Sequence, residues 1–186
     1  MTLNFEIPKL VSELKKRKPK KVLVQLAEGI KQNATEISEV IEKLGIEVIF
    51  SGETCWGACS VSTQEAEALG VDLIVHFGHA QFIEVDFPIL YMEVKDELNL
   101  VPILKKSIDK LKEFKVIGLS YSIQHRHDLN KLIKFYESHG KTVILSKKLG
   151  HAAYEGHIVG CEYSGLKAIQ DKVDAFVIFG NQFHSM

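Results

Sequence analysis

The stretch Val71-Asp-Leu-Ile-Val-His-Phe-Gly78 returns 102 positions later as Val173-Asp-Ala-Phe-Val-Ile-Phe-Gly180. A chain that repeats a short apolar run in this way is built from copies of one supersecondary unit. The rest of the sequence follows the same plan. Lys21-Val-Leu-Val-Gln-Leu26 and Lys115-Val-Ile-Gly-Leu-Ser120 are Val/Leu-rich runs of strand length. Each follows an amphipathic helical pattern: Ile7, Leu10, Val11 and Leu14 in the first copy, and Leu100, Leu104, Ile108 and Leu111 in the second. Each is followed by a polar loop and a further helix, Thr35 to Leu44 and Asp128 to Ser138. Gly45 and Gly140 sit where a helix-terminating glycine belongs. Second strands are predicted at Glu47–Phe50 and Thr142–Leu145. Pairing Val22 with Val116 sets the early offset at 94, so about eight extra residues are expected in the second copy, around Lys147 to His157.

Apolar strands alternating with helices indicate parallel sheets covered on both faces. The predicted fold class is α/β: two tandem similar units, 1–95 and 96–186, each a small parallel sheet flanked by helices. Val85 to Val101, with Pro88 near its start and Pro102 just beyond it, is read as the join.

Composition narrows the function. The 186 residues carry a net charge of −1, which gives non-specific nucleic-acid binding no electrostatic support. The dense basic run Lys15-Lys-Arg-Lys18 reads as the solvated end of the first helix, where cations complement the helix dipole. There is no signal-peptide pattern after Met1, and no apolar run approaches the ~18 residues of a membrane span. A cytoplasmic protein with no membrane partner is expected. Its three cysteines, Cys55, Cys59 and Cys161, are an odd number, against a disulfide framework.

Cys59 and Cys161 are 102 positions apart, so they are equivalent in the repeat. Each lies after the second strand and before a predicted third helix, starting near Ser62 and Ser164. Ser62 and Glu65 have capping-box spacing. A helix N-terminus favours the thiolate that metals need, and this end of a parallel sheet is where ligands bind. Two equivalent thiols suit a shared metal centre better than two buried hydrophobes. Two thiolates alone do not hold an iron–sulfur cluster, which takes three or four cysteines. Either another element supplies ligands, or the centre is not a cluster.

The motifs themselves resemble those of the diphthamide-biosynthesis enzymes. Glu53-Thr-Cys-Trp-Gly-Ala-Cys-Ser60 resembles their Tyr-Gly-Ala-Cys, with Trp56 in place of the tyrosine. Leu23-Val-Gln-Leu-Ala-Glu-Gly29 resembles their Gln-Phe-Pro-Glu-Gly, and Gly70 to His79 their Gly-Ala-Asp-Leu-Leu-Val-His-Tyr-Gly-His. Ser122-Ile-Gln-His125, Gly156-His-Ile-Val-Gly-Cys161 and Phe179-Gly-Asn-Gln-Phe-His184 complete the series, in the family's order across the chain.

That resemblance implies three α/β units, each giving one cysteine to a [4Fe–4S] cluster, of which this chain would be the first two. It implies S-adenosylmethionine as co-substrate, cleaved by radical chemistry. The 3-amino-3-carboxypropyl group would then be transferred to a histidine of translation elongation factor 2. A homodimer and an electron donor are implied as well. Cys59 and Cys161 take the positions of two cluster ligands. Cys55 has no counterpart, since the same offset leads to His157, and is read as a bystander unless it substitutes for the third ligand. Gln124, His125 and His79 are candidates for the co-substrate pocket, with Gln25 and Glu28 at the matching strand exit of the first unit. His76, inside a strand, is read as a core histidine, and Phe183 and His184 close the chain. On this reading the chain alone holds a cluster weakly at most and is inactive. Two rivals follow from the same residues. One is a zinc-binding structural protein using Cys55-x3-Cys59 and His157-x3-Cys161. The other is a non-catalytic module that recognises elongation factor 2.

Overall fold

The computed structural model describes residues 3–180; Phe183 and His184 lie outside them. Of the described residues, the first unit spans 4–94 and the second comprises 95–180 together with Leu3. After the short β1 (Leu3–Asn4), the first unit runs α1 (Ile7–Arg17), β2 (Lys21–Leu26), α2 (Ala34–Glu42), β3 (Glu47–Phe50), α3 (Thr63–Leu69), β4 (Leu73–Phe77) and β5 (Ile89–Met92). The second contains β6 (Lys95–Asp96), α4 (Val101–Lys110), β7 (Val116–Tyr121), α5 (Leu129–Ser138), β8 (Thr142–Leu145), α6 (Ser164–Lys167) and β9 (Ala175–Phe179). Between strand and helix, 3-10 turns occupy Glu28–Asn33 and Ile123–Asp128, where a polar loop was expected. Both α/β sheets are parallel, ordered β3-β2-β4-β5 and β8-β7-β9.

The strands are near-continuously apolar because helices cover both faces. Leu23, Val24, Ile74 and Val75 are fully buried in the first sheet, as are Ile117 and Leu119 in the second. Each such side chain contributes about 1.5–3 kcal/mol relative to exposure. Leu10 and Leu14 form the buried stripe of α1, and Lys15, Lys16 and Arg17 its last turn. Gly45 and Gly140 follow the helices α2 and α5 with φ of 76° and 74°, the left-handed conformation that glycine adopts without strain.

The repeat register differs from the sequence alignment by one residue. Lys21 pairs with Glu47 and Val116 with Thr142, so both strands of the second copy are displaced by 95. Val22 opposite Leu73 matches Ile117 opposite Ala175, so Val22 corresponds to Ile117 rather than Val116. With β9 displaced by 102, the insertion is seven residues. Similar side chains had aligned Val with Val, but a slip of one residue would turn every side chain to the opposite face, and burial selects the other register.

Two further expectations are corrected. The join contributes a fourth strand: Ile89–Met92 alternates half-buried and buried positions and pairs with β4. Pro88, lacking an N–H, stands immediately before it and still accepts the Ile74 N–H through its carbonyl at 3.0 Å. The capping box is not formed either. Ser62 precedes α3 without a side-chain cap, because its hydroxyl bonds Glu53 and Gln25, while Glu65 accepts from Ser51.

In the second unit the inserted loop returns beside the sheet. Gly156 accepts the Tyr121 N–H at 2.8 Å, and Tyr121 accepts the Ile158 N–H at 3.0 Å. This pairing holds the loop against the carboxyl end of β7.

Candidate functional site

In the first unit β2 lies between β3 and β4, so the strand order reverses at β2, and the carboxyl ends of strands at such a point are where open α/β sheets bind ligands. Gln25 of β2 and His76 of β4 are register partners there. Both are fully buried polar residues in otherwise apolar strands, so each requires a partner. Gln25 Nε2 donates to the Ser60 carbonyl at 2.8 Å and to the Ser62 hydroxyl at 2.9 Å. A carbonyl only accepts, which assigns the amide orientation and leaves Gln25 Oε1 facing His76 Nδ1 at 3.0 Å. Nδ1 of His76 therefore carries the proton. Burial, with a smaller contribution from His79, lowers the His76 pKa to about 3, so the ring is neutral and its Nε2 lone pair is available.

That lone pair lies 2.9 Å from His79 Nδ1 and 4.0 Å from Cys55 Sγ. The ligand atoms of Cys55, His76 and His79 all lie within 4.8 Å of one another. The loop carrying Cys55 is anchored by Glu28, whose Oε1 accepts the Cys55 N–H at 3.1 Å and pairs with Lys31 Nζ at 2.6 Å. These bonds, Lys31 first, hold the Glu28 carboxyl below the usual glutamate range. Cys55 is 1% exposed, and burial pushes its thiol pKa up to about 11. The ring of Tyr91, next in register, packs 5.4 Å from that of His76.

Cys59 and Cys161 are both exposed, unlike Cys55. Each precedes a short helix of its own unit, seven residues for α3 and four for α6. In the second unit His125 is 4% exposed, with Nδ1 3.9 Å from Asp128 Oδ2. Burial lowers its pKa against the opposing pull of Asp96 and Asp128. Gln124, half-buried, sits in the same 3-10 turn. His157 is buried, and its Nδ1 accepts the Ala153 N–H at 3.0 Å.

His79, expected at the co-substrate pocket, gathers with His76 and Cys55. The pairing of Cys55 with Cys59 as joint zinc ligands is not seen, since Cys59 is outside the buried cluster. Gln25 as the residue orienting His76 was not anticipated. The signal was present in the two polar interruptions of apolar strands.

Comparison with known proteins gives concordant results. The family model for diphthamide synthesis protein matches residues 26–186. The 2-(3-amino-3-carboxypropyl)histidine synthase of Pyrococcus horikoshii is 32% identical over 166 residues, covering 87% of this chain and 48% of that protein. Subunit 1 of the synthase from Gibberella zeae is 30% identical over 187 residues, covering 97% of this chain and 40% of the relative. The crystal structure of Dph2 from Pyrococcus horikoshii superposes with a TM-score of 0.88 at 27% identity, covering 98% of this chain and 54% of that one. A second structure of Dph2, with a 4Fe-4S cluster, matches equally well. The chain spans about half the length of the curated relatives it matches. With the family model matched over most of its length and the parallel α/β architecture shared with Dph2, the chain belongs to the diphthamide synthesis protein family.

Proposed function

We propose that this chain serves the transfer of the 3-amino-3-carboxypropyl group of S-adenosylmethionine to a histidine of translation elongation factor 2. In this reading Cys59 and Cys161 are ligands of a [4Fe–4S] cluster. The observation that carries it is the exposure of these two thiols at equivalent positions of two like units, while the third cysteine is buried. Exposed thiols are the right donors in kind for a cluster shared with other protein elements. They are two where three or four are usual, so at least one further ligand comes from a protein segment other than these loops.

When bound, the cluster supplies the electron that cleaves the sulfur–carbon bond of S-adenosylmethionine. The chain's own residues bind and position. Gln124, half-buried in the turn that follows β7, is assigned to the co-substrate. His125, buried in the same turn with Nδ1 3.9 Å from Asp128 Oδ2, is the second residue assigned to that pocket. A protein electron donor, a second copy of the chain and a cytoplasmic location belong to the same proposal.

The test is transfer of radiolabel from the aminocarboxypropyl carbons of S-adenosylmethionine to elongation factor 2 under anaerobic reduction. The assay uses the chain together with whatever further family segment completes the cluster. Label on the factor, lost with Cys59→Ser or Cys161→Ser, supports the reading. Transfer that survives both substitutions contradicts it.

A further inference from the structure

We propose that Cys55, His76 and His79 form a mononuclear binding site for a zinc-class divalent cation, separate from the cluster cysteines. The site uses neither Cys59 nor Cys161 and stands whether or not the transferase reading is right.

Three observations lead there. The first is the donor set, one sulfur and two imidazole nitrogens, which is the chemistry zinc and its neighbours select. Second is the geometry. Ideal tetrahedral zinc needs a nitrogen–nitrogen separation of about 3.3 Å and sulfur–nitrogen separations of about 3.6 Å. The separations found are 2.9 Å between His79 Nδ1 and His76 Nε2, and 4.0 Å between Cys55 Sγ and His76 Nε2. Both separations lie within about half an ångström of those values, and the third, between Cys55 and His79, is within 4.8 Å.

Third is preorganisation. His76 is a fully buried imidazole whose remote nitrogen is pinned by Gln25, and Gln25 is in turn locked by Ser60 and Ser62. Metal-binding histidines characteristically donate their second ring N–H to a fixed acceptor, and here that acceptor directs the Nε2 lone pair at Cys55 and His79. Without a cation the same Nε2 accepts the His79 Nδ1–H at 2.9 Å, so that bond already holds the second imidazole beside the nitrogen that would bind the metal.

Binding balances simply. The cation replaces the Cys55 thiol proton, which leaves to solvent, and the proton on His79 Nδ1 moves to Nε2 as that ring turns its lone pair to the metal. Among the described residues no fourth histidine, cysteine or carboxylate joins the group. The fourth position is therefore open to water or an exogenous donor, as in catalytic rather than closed structural zinc sites.

Cobalt(II) titration of the metal-depleted chain tests this, with absorbance as the readout. The expected result is one cobalt per chain, with the visible bands of a tetrahedral site and a thiolate-to-cobalt charge-transfer band. A Cys59→Ser/Cys161→Ser double variant keeps the whole spectrum. Cys55→Ser loses the charge-transfer band. Gln25→Leu weakens binding roughly 10- to 100-fold. If Cys55→Ser does not fold, as judged by circular dichroism, His79→Gln decides, because His79 is only partly buried; it should abolish the tetrahedral spectrum. Loss of the spectrum in the double variant, its survival in His79→Gln, or no cobalt bound by the wild-type chain would each overturn the proposal.

Discussion

Gln25 presents its carboxamide oxygen to Nδ1 of His76 at 3.0 Å, across a register pair of adjacent parallel strands. One bond at the carboxyl end of the first sheet settles which nitrogen of a buried imidazole carries the proton, and so which atom faces Cys55 and His79.

Removing that acceptor should be costly. Gln25→Leu leaves the His76 N–H buried without a partner, at about 1–3 kcal/mol. Urea denaturation should show the loss. Nitrogen-15 shifts of His76 should also report a mixture of tautomers where the wild type shows one. An unchanged tautomer would mean that Gln25 does not set it.

Gly156 has φ of 78°, and a Cβ there would meet the Tyr121 ring at 2.7 Å. Gly156→Ala therefore meets both backbone strain and a clash beside β7. A destabilisation of about 2 kcal/mol or more is expected, since the left-handed conformation alone costs roughly 1–2 kcal/mol. Thermal unfolding checks it, and an alanine variant as stable as wild type would contradict the placement of this loop.

Each unit contains the same kind of acid-sensitive contact. Asp72 accepts the N–H groups of Lys20 and Lys21, and Asp174 those of Lys115 and Val116. These bonds, Lys21 first for Asp72 and Val116 first for Asp174, hold both carboxyls below the usual aspartate range. A depressed carboxylate contributes stability that is present above its unfolded pKa, near 3.9, and is lost as pH falls through its folded value. The midpoint of denaturation should therefore fall below about pH 4, and Asp72→Ala and Asp174→Ala should each flatten that acid limb. An equally steep limb in both variants would assign the acid sensitivity elsewhere.

Much of this fold was legible because the repeat states it twice. The runs at Lys21–Leu26 and Glu47–Phe50 are strands to the residue. The register was not legible, because Val116 imitates Val22 in type while Ile117 replaces it in space. Strand β5 was hidden by Pro88, which reads as a breaker until its carbonyl is seen joining the ladder. Cys59 and Cys161 were visible as a pair through the offset alone. The convergence of Cys55 on His76 and His79 was not, because 21 residues and a sheet crossover separate the thiol from the first imidazole, and only the β2–β4 pairing brings them together.

The most direct test of the central claim is iron and acid-labile sulfide content with low-temperature electron paramagnetic resonance after anaerobic reconstitution. Wild type would be compared with Cys55→Ala, Cys59→Ala and Cys161→Ala. The account predicts a weakly held [4Fe–4S] signal in the wild type that survives in Cys55→Ala and disappears in the other two variants. A signal lost with Cys55 and kept without Cys59 or Cys161 would contradict it, and would make the buried cysteine, rather than the repeated pair, the cluster's ligand.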